Sequence, residues 1–345
     1  MTSVMKQLNS RIYLYIIIAG LLMMAGLVVF YFFTGVSKSE QTEYVYIDTD
    51  DTRDSVVAKV QTFSCPAGMT GLATLIRHSS YGDHIRTGRY AVSPGEGAVT
   101  VFRRLKNGQQ ASLRLTIPEA RTTDRLAALL SRKLMLDSAT IARALLSDDT
   151  CRQYGYDTCT ITAMFVPNTY DVYWNMSLST LLQRMQKEHE HFWQGDREQK
   201  AAQMQLTPIE VCTLASIIDE ETANNGEKPM IAGMYLNRLR VDMPLQADPT
   251  IKFALRQFGL KRIYNKLLSV ESPYNTYRNK GLPPGPIKVA SVQGIDAVLN
   301  AVSHDYLYMC AKEDFSGTHN FARTYQEHLQ NAARYTKALN QRGIK

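Results

Sequence analysis

TPIEVCTLASIIDEET, residues Thr207 to Thr222, opens with a helix-start signal and closes on three acids. Thr207 can cap, Pro208 suits the first helical position, and Glu210, three residues on, completes a T-x-x-E capping box. Leu214, Ile217, Ile218 and Glu221 stand at i, i+3, i+4 and i+7, so they share one helix face. Glu221 therefore extends an apolar stripe. Asp219 points to nearly the opposite side, and Glu220 lies between them. A carboxyl group on a buried stripe is desolvated, which raises its pKa and keeps it protonated near neutral pH. A general acid needs that property, and Glu221 is the candidate. The competing reading is an acidic helix end in solvent.

Outward from that helix, 345 residues suffice for one large domain or two smaller ones. The formal charge of +7 is spread along the chain rather than clustered with aromatics, which argues against a nucleic-acid interface. A basic surface of this kind suits an anionic partner such as a membrane or a wall polymer. The five cysteines form no C-x-x-C pair, so a zinc ribbon or thioredoxin-like site is not expected. Cys151 and Cys159 are close enough in sequence to pair in an oxidising compartment. His189 and His191 are two apart and do not share a helix face. Neither a metal nor an organic cofactor is expected.

Ile12 to Val36 holds no charged residue and is long enough to cross a hydrocarbon core of about 30 Å. The run is too long for a signal-peptide apolar region, and no A-x-A site follows. Lys6 and Arg11 precede it, and acids from Glu40 onward follow. The positive-inside rule then puts residues 1–11 in the cytoplasm, 12–36 in the inner membrane, and the rest in an extracytoplasmic, periplasmic space. Residues 37–108 read as a small α+β module, with strands near Tyr44–Ile47 and Arg89–Val92, and 109–345 as a larger mixed α+β domain. Helices are expected at Leu178–Trp193, Pro229–Arg240, Ile251–Phe258 and Val292–Val302, a strand at Asp305–Ala311, and a loop at His319–Phe321. The run GLPPGPI (Gly281–Ile287) has the Pro/Gly density of a binding loop.

ASIIDEET (Ala215–Thr222), YLNRL (Tyr235–Leu239), LQADPT (Leu245–Thr250), YNTY (Tyr274–Tyr277), GLPPGPI, and His319 with Phe321 follow one another in this order. Together they resemble the endolytic murein transglycosylases, a YceG-like family. VPNTY (Val166–Tyr170) resembles the family's F-x-P-D-T-W/Y segment, with Asn168 in the place of Asp. The family pattern A-S-I-[IV]-E-x-E falls here with Asp219 as its first acid and Glu221 as its second. The resemblance gives the catalytic role to the second. It also implies that the small module is LysM-like and binds glycan.

The resemblance implies cleavage of peptidoglycan glycan strands between MurNAc and GlcNAc, with 1,6-anhydro-MurNAc ends. Peptidoglycan synthases (penicillin-binding proteins) are the implied partners, and termination of glycan elongation is the implied role. Gln246, Asp248, Tyr274, Asn275 and Tyr277 are candidates to bind sugar hydroxyl and N-acetyl groups, with core packing as the alternative for the tyrosines. Asp248 also reads as a helix cap before Pro249. Arg238 reads as a substrate-carboxylate partner or a structural ion pair, and His319 as a substrate contact or a structural loop residue. Two other functions stand beside this one: a hydrolytic muramidase using water, and a non-catalytic glycan-binding scaffold of the wall-synthesis complex.

Overall fold

The computed structural model describes residues 2–260 and 262–343, with the backbone course alone for residues 2–10, so the expectation placed on the Lys6 side chain lies outside the described residues. The architecture is mixed α+β, with helices predominating and, among the described residues, three two-stranded sheets. The chain divides into two compact units, residues 1–114 with 171–176, and residues 115–170 with 177–345.

The first unit begins with α1 (Thr2–Phe33). Its segment Arg11–Phe33 has a mean hydropathy of 2.6 and is exposed, the length and composition of a membrane span. Helix ends at Phe33, and Val36, the last residue of the apolar run, is fully buried in this unit's core. The two glycines Gly68 and Gly71 of α3 (Pro66–Arg77) make room for that junction. A Cβ on Gly71 would stand 2.0 Å from the Tyr31 carbonyl oxygen, and one on Gly68 would stand 2.5 Å from that of Gly35. Strands β1 (Glu43–Ile47) and β2 (Gly88–Val92) pair antiparallel with Val45 opposite Tyr90. With α2 (Arg53–Gln61), α3 and α4 (Ala98–Asn107) they enclose Ile47, Val56, Leu72, Tyr90 and Val101.

The chain leaves this unit in β3 (Leu113–Thr116) and revisits it through β4 (Thr169–Val172). Between them lie α5 (Thr123–Ser131), α6 (Ser138–Leu145) and α7 (Asp148–Gln153). After β4 come α8 (Leu178–Trp193), α9 (Asp196–Gln203), α10 (Pro208–Glu221), α11 (Lys228–Arg240), α12 (Asp248–Ala254) and α13 (Val292–Leu299). The hairpin β5 (Tyr308–Ala311) and β6 (His319–Ala322), then α14 (Tyr325–Gln341), complete the second unit.

α10 starts as its sequence dictates. Thr207 Oγ accepts from the Glu210 amide at 3.2 Å, and the Glu210 carboxylate accepts from the Thr207 amide at 2.8 Å. It is not amphipathic, however: all eight residues from Val211 to Ile218 are buried. A helix apolar on every side belongs in the middle of a domain, and α9, α11, α12 and α13 all touch this one. Small polar residues make that possible. Ser216, fully buried, donates its hydroxyl to the Thr213 carbonyl and accepts the Ile287 amide at 3.0 Å. GLPPGPI is thereby packed against α10, its Pro283, Gly285, Pro286 and Ile287 buried and its Pro284 exposed.

Candidate active site

The three acids at the end of α10 separate as helical spacing requires. Asp219, its side chain 2% exposed, accepts from Lys228 Nζ, the Ser291 amide and the Ser291 hydroxyl, each at 2.7 Å. It ties α10 to the starts of α11 and α13. Gly294 permits the approach, since a Cβ there would meet Asp219 Oδ1 at 2.5 Å. Glu220, its side chain 15% exposed, pairs with Arg121 at 2.7 Å and Lys288 at 3.5 Å.

Glu221, half-buried, opens onto a cleft of about 220 Å³ lined also by Tyr235, Arg238, Gln246, Asp248, Tyr277 and His319. Its carboxylate accepts one hydrogen bond, from the Tyr235 hydroxyl at 2.8 Å. Burial pushes its pKa up to about 7; the Tyr235 bond opposes this, and the Asp248 charge adds to it. Glu221 is also the last residue of its helix, where the negative end of the dipole further disfavours a carboxylate. The group can therefore give and retake a proton near neutral pH.

The other expected residues fall into three sets. Gln246, Asp248 and Tyr277 face the cleft beside Glu221. Asp248 is not a cap: Ala247 holds the cap position of α12, and the Asp248 carboxylate instead accepts the Tyr277 hydroxyl at 2.5 Å. Gln246 is held at φ 51, a region that is strained for a residue with a side chain. Two bonds fix it there: its amide donates to the Thr276 carbonyl and the Ala247 amide to Thr276 Oγ, each at 3.0 Å.

Arg238 and His319 line the cleft but are engaged from behind. Among the described residues Arg238 has no carboxylate partner. Its guanidinium donates to the carbonyls of Leu307 at 2.6 Å, Leu245 at 2.8 Å and Pro244 at 3.1 Å. With Asn237, which donates to the carbonyls of His304 and Tyr306, it fastens the segment leading into β5. The YLNRL stretch is thus a clamp that brings the hairpin over the cleft. His319 sits in strand β6, not in a loop, because it pairs with Ala311 of β5. Glu227, 8% exposed, accepts its amide at 2.6 Å and meets its Nδ1 at 3.0 Å.

Tyr274 and Asn275 lie outside the cleft, against the expectation that they bind sugar. Asn275 is fully buried, and its side-chain amide donates to the Leu268 and Val270 carbonyls. Tyr274 packs against Phe253 with ring centroids 4.7 Å apart and the planes tilted by 50°. Of the four YNTY residues, Tyr277 alone lines the cleft with Glu221. The cleft also has contributors that no spacing rule selects: Tyr235, Glu227 behind His319, and Met309 to Ala311 of β5. They come from elements distant in sequence, and Tyr235 reads in sequence as an ordinary buried-face residue. The five thiols are free, Cys151 and Cys159 included.

The sequence model of the YceG-like family matches residues 45–334. A protein named endolytic murein transglycosylase from Bacillus subtilis (strain 168) is 39% identical over 130 residues, 38% of this chain and 35% of that protein. One of the same name from Streptococcus pneumoniae serotype 2 (strain D39) is 34% identical over 137 residues, 39% of this chain and 25% of that protein. The chain thus matches about a third or less of the length of these relatives. The crystal structure of a YceG-like protein from Listeria monocytogenes shares the fold, with a TM-score of 0.55 at 24% identity over 85% of this chain and 99% of that one.

Proposed function

The chain belongs to the YceG-like family, and from that premise we propose that it is a membrane-anchored endolytic transglycosylase acting on peptidoglycan glycan strands. The observation that carries the proposal is Glu221: one carboxyl group, titrating near 7, in a polar cleft. In the proposed reaction Glu221 gives its proton to the oxygen that joins MurNAc C1 to GlcNAc C4, and the C1–O bond breaks, leaving a GlcNAc 4-hydroxyl. The MurNAc C6 hydroxyl attacks C1 and returns its proton to Glu221, closing a 1,6-anhydro ring. No water is consumed, and the intramolecular nucleophile explains how one carboxylate serves where ordinary glycosidases need two. Tyr235 orients the carboxyl. Gln246, Asp248 and Tyr277 bind sugar hydroxyl and N-acetyl groups, and the clamp through Arg238 and the Glu227–His319 pair hold the cleft's far wall.

α1 is the single-pass anchor, with the N-terminus cytoplasmic and the chain beyond residue 36 on the far side of the inner membrane. The first unit is the LysM-like glycan-binding module, and a penicillin-binding synthase is the partner whose strands are terminated. Asp248, a second carboxylate on the same cleft, favours one rival reading, a muramidase that activates water.

Mass spectrometry of the fragments released from purified sacculi by the detergent-solubilised chain decides between them. Anhydro-ended fragments from the wild type, and none from Glu221→Gln, are the expected result. Products heavier by one water would replace the lyase with a hydrolase. Undiminished release by Glu221→Gln would remove Glu221 from the chemistry.

A further inference from the structure

A second pocket of about 250 Å³ lies in the same unit, bounded by the start of α5, the segment Thr158–Thr162, α12 and the loops of Tyr274 and Pro286. Three features mark it as built to hold a ligand. Thr162, 8% exposed, lines it, and its Oγ, closed off from solvent, has no hydrogen-bond partner among the described residues. An unpaired buried hydroxyl is costly, and a turn about χ1 that brought it into the pocket would let it donate to a ligand carbonyl or carboxylate.

Second, Arg256 follows α12 at φ 52, just after the C-cap Leu255. That position ordinarily takes glycine; an arginine there retains backbone strain and gains a charge. Its one acidic contact, Asp124 at 3.5 Å, is long, and both side chains are mostly exposed. Such a pair is worth little and yields readily to a better-placed anion. Arg121 borders the pocket as well, although Glu220 already holds it at 2.7 Å.

Third, the lining is apolar as well as polar. Phe253 and Tyr274 pack together there with their rings tilted by 50°, and Leu146 and Pro286 also line it. A small aliphatic group attached to an amide and a carboxylate matches that distribution; a bare anion does not.

We propose that this pocket is a subsite for the carboxylate-bearing stem peptide of the glycan strand, with Arg256 meeting the carboxylate, Thr162 an amide carbonyl, and Phe253 an alanine methyl. The proposal rests on the transglycosylase reading for the identity of the peptide. α12 connects the two sites: Asp248 at its first turn faces the cleft, and Phe253 and Arg256 at its end face the pocket. Seven residues of helix span about 10 Å, the scale on which a peptide branches from the sugar it is attached to.

The free dipeptide L-Ala-γ-D-Glu tests the pocket without engaging the cleft. Titrated into the full chain in detergent, it should bind saturably. Arg256→Gly should weaken binding about tenfold, the loss of one charge-assisted contact, while raising the Tm because glycine relaxes the positive φ. Thr162→Val should weaken it about threefold or more. Absence of saturable binding by the wild type, or equal affinity in Arg256→Gly, overturns the proposal. In a second arm, peptide-bearing strands are compared with strands stripped by an amidase. Arg256→Gly should lower kcat/KM on the first and leave it unchanged on the second, and equal effects on both also overturn the subsite. If the wild type cuts neither strand yet binds the dipeptide through Arg256, the pocket stands and the transglycosylase reading fails.

Discussion

Asp219 and Glu221 are two residues apart on one helix, and both carboxyl groups are withdrawn from bulk solvent. Around Asp219 the protein supplies an ammonium, an amide and a hydroxyl, all at 2.7 Å. Around Glu221 it supplies one phenol, at 2.8 Å, and a neighbouring acid, Asp248, whose charge opposes ionisation. Burial alone therefore does not make an acid catalyst. A buried carboxylate whose charge is fully answered becomes a structural tie, and one left nearly unanswered takes up a proton instead.

Exchanging the carboxyl groups for amides one at a time should separate these roles. Glu221→Gln should reduce the turnover of sacculi about 10²- to 10⁴-fold, the range for loss of a general acid, with far-UV circular dichroism unchanged. Asp219→Asn should act on stability first. It leaves Lys228, 6% exposed, as a buried cation without its counter-charge, at a cost of about 3–5 kcal/mol. Denaturant unfolding of the solubilised chain would measure it. A stable Asp219→Asn protein without activity would mean that the two roles had been assigned the wrong way round.

That contrast was only half legible in the sequence. The 3.6-residue period puts Glu221 and Asp219 on different faces, and the capping box fixes where α10 begins; both are local rules, and both hold in the structure. The partners are not local. Ser291 lies 72 residues beyond Asp219 and Tyr235 lies 14 beyond Glu221 on another helix, so nothing in the spacing foretells which acid is neutralised. The same limit explains GLPPGPI. Its composition announces a rigid, irregular backbone, but whether that backbone faces a ligand or a helix depends on Ser216, which accepts the Ile287 amide. Tyr274 and Tyr277 differ for the same reason: the residue type is identical, and the direction of the loop decides that one meets Phe253 and the other Asp248.

The pH dependence of stability sharpens the comparison further. The Glu221 carboxyl titrates near 4.5 when unfolded and near 7 when folded. The folded state binds the extra proton between those values, so the contribution of this group is complete below about 4.5 and is lost as pH rises through 7. Glu221→Gln abolishes that loss. At pH 8 the variant should be more stable than the wild type by roughly 1–3 kcal/mol relative to their difference at pH 4, the upper figure being the full linkage value and the lower allowing for solvent in the cleft. Parallel stability curves for the two proteins across this range would show that Glu221 titrates normally.

The smallest expected effect tests the single donor that Glu221 retains. The Tyr235 hydroxyl bonds to the ionised form and so holds the pKa below the value that burial alone would impose. Tyr235→Phe removes the oxygen and keeps the ring, which is 1% exposed and packed in the core. One hydrogen bond of about 1 kcal/mol corresponds to about 0.7 pKa unit, so the alkaline limb of the kcat profile, where the general acid loses its proton, should move upward by that amount. The direction matters more than the size. An upward shift with kcat nearly retained on the acid side means that the phenol tunes the acid; an unmoved limb with lower kcat means that it only positions the carboxyl. A downward shift would contradict the geometry, because it would require the phenol to have been stabilising the protonated carboxyl.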